Sequence, residues 1–146
     1  MGFILIALGW ESVVLSVQYG LLLPHSFVLN VTGSVLILIG VAIRVLAFVQ
    51  IPNTYRIKGL VTTGIYAKTR NPIYLALMII IVGIAVYSTA VLALAWACAC
   101  IVVLYWVAAK EEVDLERVFG EIYLQYKKTV PMFLPQFKTM KFLERD

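Results

Sequence analysis

Apolar residues run almost unbroken from Phe3 to Leu23, from Val28 to Ile51 and from Asn71 to Ala109, and polar residues gather between and after these runs. A helix rises 1.5 Å per residue, so roughly 20 apolar residues cross the ~30 Å hydrocarbon core of a bilayer. The first two runs each reach that length. The third is about twice as long and carries no charge, so it reads as two helices in a hairpin that turns near Tyr87-Ser88-Thr89. Neither Gly nor Pro marks that turn. Spans over 3–23, 28–51, 71–87 and 89–109 result, with Pro24-His25-Ser26 as the first turn and Pro52-Asn53 ending the second span. Beyond Lys110, apolar residues recur at Leu115, Val118, Phe119, Ile122 and Tyr126, the spacing of one helix face. They predict an amphipathic helix over 110–128. Val130–Pro135, with two prolines, ends it and tucks into the interface or back over the bundle. The fold class is therefore all-α integral membrane. Four transmembrane helices, the last two a hairpin, are followed by a cytoplasmic amphipathic C-terminal helix, all within a single domain, 1–146.

Composition agrees with this pattern. Hydrophobic residues make up 62 % of the 146 and charged residues 14 %, with mean hydropathy +0.95. A soluble domain of this size has too little interior to hide so much apolar surface. The net charge of +4 does not point to nucleic acid, because the basic residues follow topology. All twelve Lys and Arg lie from Arg44 onward, eleven of them in the 52–70 loop and the tail, and the turns at 24–27 and 87–89 have none. Such residues collect on the cytoplasmic side. Both termini, the polar loop and the tail are thus expected at the cytoplasmic face of a multi-pass membrane protein. The N-terminus lacks the basic region of a cleaved leader, so none is expected. Cys98 and Cys100 diverge on one helix and read as packing residues. No metal is expected.

Candidate chemistry concentrates in Arg56–Tyr74 and in the acidic run from Glu111. The first stretch holds four of the twelve basic residues, two glycines and three threonines. Asn71 followed by Pro72 is a helix start, with Asn as cap and Pro in the first turn. The N-terminus of that helix presents partial positive charge to an anion such as a carboxylate. A basic loop between membrane helices has the same composition without any site. Glu11 and Arg44 each lie ~10–12 Å inside the membrane from the same face if spans one and two are antiparallel neighbours. They are expected to pair, either as a wall of a substrate cavity or as a structural ion pair. His25, the sole histidine, falls at the far surface, which leaves the cytoplasmic side without the usual general base.

The pattern L-V-T-T-G-I-Y…R-N-P-I-Y at Leu60–Tyr74, followed by Glu111-Glu112 and by F-G-E-I-Y-L-Q-Y…V-P at Phe119–Pro131, resembles the isoprenylcysteine carboxyl methyltransferase and phospholipid methyltransferase superfamily. The resemblance covers roughly the last 90 residues, and its order and spacing carry it more than any one piece. It implies an enzyme that uses S-adenosyl-L-methionine and transfers methyl to a lipidic or small-molecule acceptor, a carboxylate, thiolate or amine, among membrane lipids. It further implies a cofactor site of Leu60, Val61, Gly64, Tyr66, Arg70, Asn71, Tyr74, Glu111 and Glu112. The candidate catalytic set is Arg117 and Glu112, with Glu11 and Arg44 on the acceptor side. The family often has His where this chain has Asn71, and Gly where it has Ala76. Asn71 cannot act as an acid or base.

Two other classes share parts of the pattern. A membrane reductase using NADPH would employ Arg56, Lys58, Lys68 and Arg70 on the extra phosphates. A four-helix cation exporter would use Glu11 as its proton-coupled site, and it has no need of the 52–70 loop or the charged tail. A purely structural membrane subunit accounts for the hydrophobicity alone.

Overall fold

The structure, a computed structural model, describes residues 2–24, 26–50 and 59–133, with no account of the side chains of 2–6. Among these residues it is all-helical. The elements are α1 (Gly2–Gln18), α2 (Phe27–Gln50), a 3-10 turn (Gly64–Ala67), α3 (Pro72–Ser88), α4 (Val91–Phe119) and α5 (Glu121–Thr129). Two helices, α2 and α4, are long and apolar enough to cross a membrane. α2 exposes Val31, Val35, Leu38, Ile39, Val41, Val45, Leu46, Phe48 and Val49. An apolar band of that extent is a surface for lipid rather than water.

α2 and α3 make the closest seam. Gly33, Gly40 and Ala47 repeat every seven residues along α2 and are buried, facing Ala76 and Gly83 of α3. A Cβ on Gly33 would lie 2.6 Å from the Tyr87 amide nitrogen and 2.8 Å from the Gly83 carbonyl oxygen. Small residues let the two backbones approach this closely, which is how helices associate where lipid removes the hydrophobic driving force. α4 packs on the other flank of α3, and α1 packs on α4, so the helices stand in the order α2, α3, α4, α1.

The hairpin turn falls where the apolar run predicts it. Thr89 supplies the left-handed residue, at φ 52°, a conformation for which Gly or Asn is the usual choice. Residues after α1 brace this end: the Leu23 amide donates to the Thr89 carbonyl at 2.8 Å and the Val91 amide to the Leu21 carbonyl at 3.1 Å. Ser16, fully buried, accepts the Leu92 amide at 3.1 Å and so caps α4 from a neighbouring helix.

Two expectations are corrected. The span at 89–109 runs on into the first half of the tail as one helix of 29 residues, and the tail helix expected over 110–128 is broken inside its length at Gly120, at φ 55° and ψ −130°. Only glycine adopts that backbone readily, so the run at 110–128 is divided between α4 and α5.

The pairing of Glu11 with Arg44 is also absent, since both are exposed and no ion pair joins them among the described residues. α1 and α2 are consecutive in sequence but stand at opposite ends of the helix row. Their levels differ as well. Gly9 packs near Trp96 and Ser16 meets Leu92, which puts Glu11 beside the first turns of α4, near the hairpin end. Gly40 meets Ala76 and Ile80, which puts Arg44 one turn nearer the start of α3. The offset is ~15 Å along the bundle at 1.5 Å per residue.

Candidate functional site

The polar loop, the start of α3, the charged half of α4 and α5 converge at one end of the bundle. Glu111 and Glu112 are neighbours on α4 and therefore point about 100° apart. Glu112 turns inward and is only 4 % exposed. Arg70 meets it in a two-pronged pair, Nε to Oε1 at 2.9 Å and Nη2 to Oε2 at 3.0 Å, the geometry that suits a planar guanidinium and a carboxylate. The Asn71 side-chain amide donates to Oε1 at 2.7 Å. Lys127 lies 3.8 Å from Oε2 and pairs closely with Glu116.

Arg70 also binds the tail. Its Nη1 donates to the carbonyls of Lys127 at 2.8 Å and Val130 at 2.9 Å, at the C-terminal end of α5. A cation there meets the negative end of the helix dipole. Val130, Pro131 and Met132 then return across the start of α3. The Arg70 and Asn71 amides donate to the carbonyls of Pro131 and Met132 at 3.0 and 3.2 Å, and the Thr69 hydroxyl donates to the Met132 carbonyl at 2.9 Å. Tyr123, Tyr126 and Val130 form a small core with Leu60, Leu115 and Phe119 beneath this return. The tuck expected for Val130–Pro135 is thus seen for 130–133, and 134–135 lie outside the described residues.

Asn71 consequently does not cap α3 as expected. Its side chain makes no capping bond, because its amide is drawn to Glu112, whose buried charge is the stronger attraction.

Glu111 points outward and is exposed. The Glu111 charge acts on the phenol of Tyr74 at the start of α3, and Tyr66 feels the same charge. Burial, with Glu111 adding to it, raises the Tyr66 phenol above its ordinary pKa. Tyr66 sits on the 3-10 turn, held from two sides. Gln50 at the end of α2 accepts the Ile65 amide at 3.1 Å, and the Tyr126 hydroxyl donates to the Tyr66 carbonyl at 2.6 Å. Gly64 opens the turn at φ 61°, with the Gln50 side chain where a Cβ would stand. Leu60 packs beneath α5, while Val61 is half-buried in the approach to the turn.

The remaining candidates fall elsewhere. Arg117 is largely exposed and pairs with Asp114 at 3.2 Å. It is six residues beyond Glu111 and about 120° around the helix from it. Arg44 lines a shallow cavity of about 290 Å³ on α2 with Val41, Val45, Phe48 and Val49. Glu11 is on the far half of α1. Arg56, Lys58 and His25 lie outside the described residues. Of the four basic residues that the reductase alternative would set on phosphates, Lys68 is exposed, and the Arg70 guanidinium is occupied by Glu112 and two carbonyls. Sequence reasoning missed Tyr126, Tyr123 and Lys127. The helical spacing places Tyr126 on an apolar face and leaves Tyr123 out, and nothing in it announces a hydroxyl aimed at the loop.

A family model for phospholipid methyltransferases matches residues 28–122, from the start of α2 into α5. The chain belongs to the phospholipid methyltransferase family. Neither the curated proteins nor the solved structures hold a significant match. Membership makes this a membrane-associated methyltransferase, consistent with its two long apolar helices. The matched residues contain the loop, the α3 start and both glutamates. They leave out α1 with Glu11 and the tail from Tyr123 onward.

Proposed function

We propose that this methyltransferase uses S-adenosyl-L-methionine to methylate a lipidic acceptor at the cytoplasmic face of a membrane. The observation that carries the proposal is the exposed Glu111, beside the buried Glu112 that holds Arg70 and Asn71 at the start of α3, with its charge acting on Tyr66 and Tyr74.

The donor set fits the cofactor. An exposed carboxylate suits an ammonium or ribose hydroxyls. Tyrosine rings suit an adenine face or a sulfonium cation. The first turn of α3 suits a carboxylate. Leu60, Val61 and Gly64 would complete the loop wall. When bound, the cofactor supplies an electrophilic methyl group. The residues around it bind and orient, and bury the reacting centre from water, which is most of what an in-line displacement requires. A carboxylate or thiolate acceptor needs no base. An amine must lose a proton, and Glu111 is the exposed carboxylate at the cluster. The acceptor reaches the site sideways from the lipid surface that α2 and α4 present.

The roles implied for Glu112, Arg70 and Asn71 change in this reading. They build the site, and Glu111 faces the ligand. Replacing Glu111 by Gln removes a charged hydrogen bond, which is expected to weaken S-adenosylhomocysteine binding by roughly 10- to 150-fold. Glu11→Gln is expected to change it little. The test is a calorimetric titration of the purified protein and both variants, followed by transfer of labelled methyl into extracted lipids. No saturable binding to wild type, or a larger loss from Glu11→Gln than from Glu111→Gln, overturns the proposal.

A further inference from the structure

The acidic pair divides its work, and the inward member is tied to a part of the chain outside the family match. Arg70 joins Glu112 on α4 to the carbonyls of Lys127 and Val130 at the end of α5. Its side chain is 8 % exposed, and that of Glu112 is 5 %. The return of 130–132 is stitched to Thr69, Arg70 and Asn71 by three further hydrogen bonds. Tyr126, on the same short helix, holds the carbonyl of Tyr66. Tyr66 therefore takes its position from α5, and α5 takes its position from Arg70 and Glu112.

The chemistry of this arrangement is unlike that of a ligand contact. Both Glu112 oxygens are occupied, Oε1 by Arg70 and Asn71 and Oε2 by Arg70. Arg70 balances the Glu112 charge, and Lys127 and Glu116 form a second, partly exposed pair beside it. A buried carboxylate held by Arg70 and Asn71, with the Lys127 ammonium already nearest its second oxygen, is poorly placed to take up a ligand's ammonium group.

We propose that Arg70 and Glu112 are positioning residues. They clamp the segment Tyr123–Phe133 over the loop at 59–71 and thereby set Tyr66 against Glu111, without touching the cofactor. The proposal rests on the reading of the Tyr66, Tyr74 and Glu111 cluster as the cofactor site. It predicts two signatures that a contacting residue lacks. Loosening the clamp weakens every ligand of the site by a similar factor, and it frees the tail.

Full-length protein in detergent is titrated with S-adenosylhomocysteine and with 5′-methylthioadenosine, which lacks the amino-acid end. Arg70→Lys keeps the charge but loses the fork, and Tyr126→Phe removes only the bond to Tyr66 and leaves the ion pair intact. In folded, monodisperse protein both variants are expected to bind the two ligands more weakly by a common factor, roughly tenfold for Arg70→Lys. Glu111→Gln is expected to weaken S-adenosylhomocysteine selectively. In parallel, brief trypsin digestion read by mass spectrometry follows cleavage after Lys127 and Lys128. Arg70→Lys is expected to be cut there several-fold faster than wild type. A selective loss of S-adenosylhomocysteine in Glu112→Gln, with methylthioadenosine unaffected, makes Glu112 a ligand contact and overturns the proposal. Unchanged cleavage in Arg70→Lys overturns it as well. If wild type binds neither nucleoside, the cofactor reading falls, and the cleavage rates alone decide for or against the clamp.

Discussion

Glu111 and Glu112 differ by one position and by nearly everything else. Their identity and spacing were legible in the sequence, and so was their meeting with the loop. What spacing could not show was which of the two faces inward, because that depends on how α4 is rotated against the start of α3. The buried member carries a stability prediction. Glu112→Ala leaves Arg70 charged and unpaired inside the fold, so unfolding in detergent should show a loss of about 3–5 kcal/mol. Tyr126 carries a prediction about pH. Burial is the main cause that raises its phenol to about 12; Glu112 and the Tyr66 phenol add to the rise, and Arg70 opposes it. An unfolded tyrosine titrates near 10. Between those values the unfolded chain has lost the proton that the folded chain keeps. The contribution is therefore fully present below pH ~10 and lost as pH climbs through ~12. Thermal melts across that range should show falling stability in wild type. Tyr126→Phe should start lower and flatten the slope, with phenolate absorbance reporting one late-titrating group fewer.

At the scale of elements, hydrophobic runs announced where the helices are, and they erred where a single backbone residue decides. The turn at Thr89 was located without Gly or Pro because charge-free length alone demanded a hairpin. The break at Gly120 was missed because amphipathic spacing passes through it: Leu115, Val118, Phe119 and Ile122 keep one helical face in projection. The α2–α3 seam was not read at all, although Gly33, Gly40 and Ala47 stand seven apart in plain view. Apolar span-finding treats Gly as one more tolerated residue, whereas close packing in lipid depends on it. Gly83 tests that seam. A Cβ there would stand 2.9 Å from the Gly33 carbonyl oxygen and from the Ile37 amide nitrogen, and backbone cannot swing aside as a flexible side chain does. Gly83→Leu should destabilise by about 1–3 kcal/mol or more. Ile84→Leu, on an exposed position of the same helix, should stay within about 0.5 kcal/mol. Equal melting temperatures for the two would show that the seam tolerates side chains and that α2 and α3 are not held by close backbone approach.

At the scale of the whole molecule, charge distribution gives the expected orientation and the fold gives it a consequence. The loop, the start of α3, the charged half of α4 and α5 lie together at one end, and the 20–24 and 88–91 segments are braced together at the other. The ends of α2 agree, with Gly33 in its first half packed on Tyr87 beside the second group and Gln50 bonded to the 3-10 turn of the first. An expectation drawn from depth failed at this scale. Glu11 and Arg44 were matched by assuming that consecutive spans are neighbours, and the bundle places α3 and α4 between them. The basic residues predict that the site end is cytoplasmic. Single cysteines introduced into a form with Cys98 and Cys100 replaced provide the check. Thr63→Cys, on the exposed loop, should react with a membrane-impermeant maleimide only after the cytoplasmic face is opened. Tyr87→Cys, half exposed at the hairpin turn, should react from outside intact cells. Reaction of both from the same side would mean that α3 does not cross the bilayer, and the helix hairpin would then have to lie within one leaflet. Reaction of each from the side opposite to that expected would invert the orientation and put the methyl-transfer site on the external face.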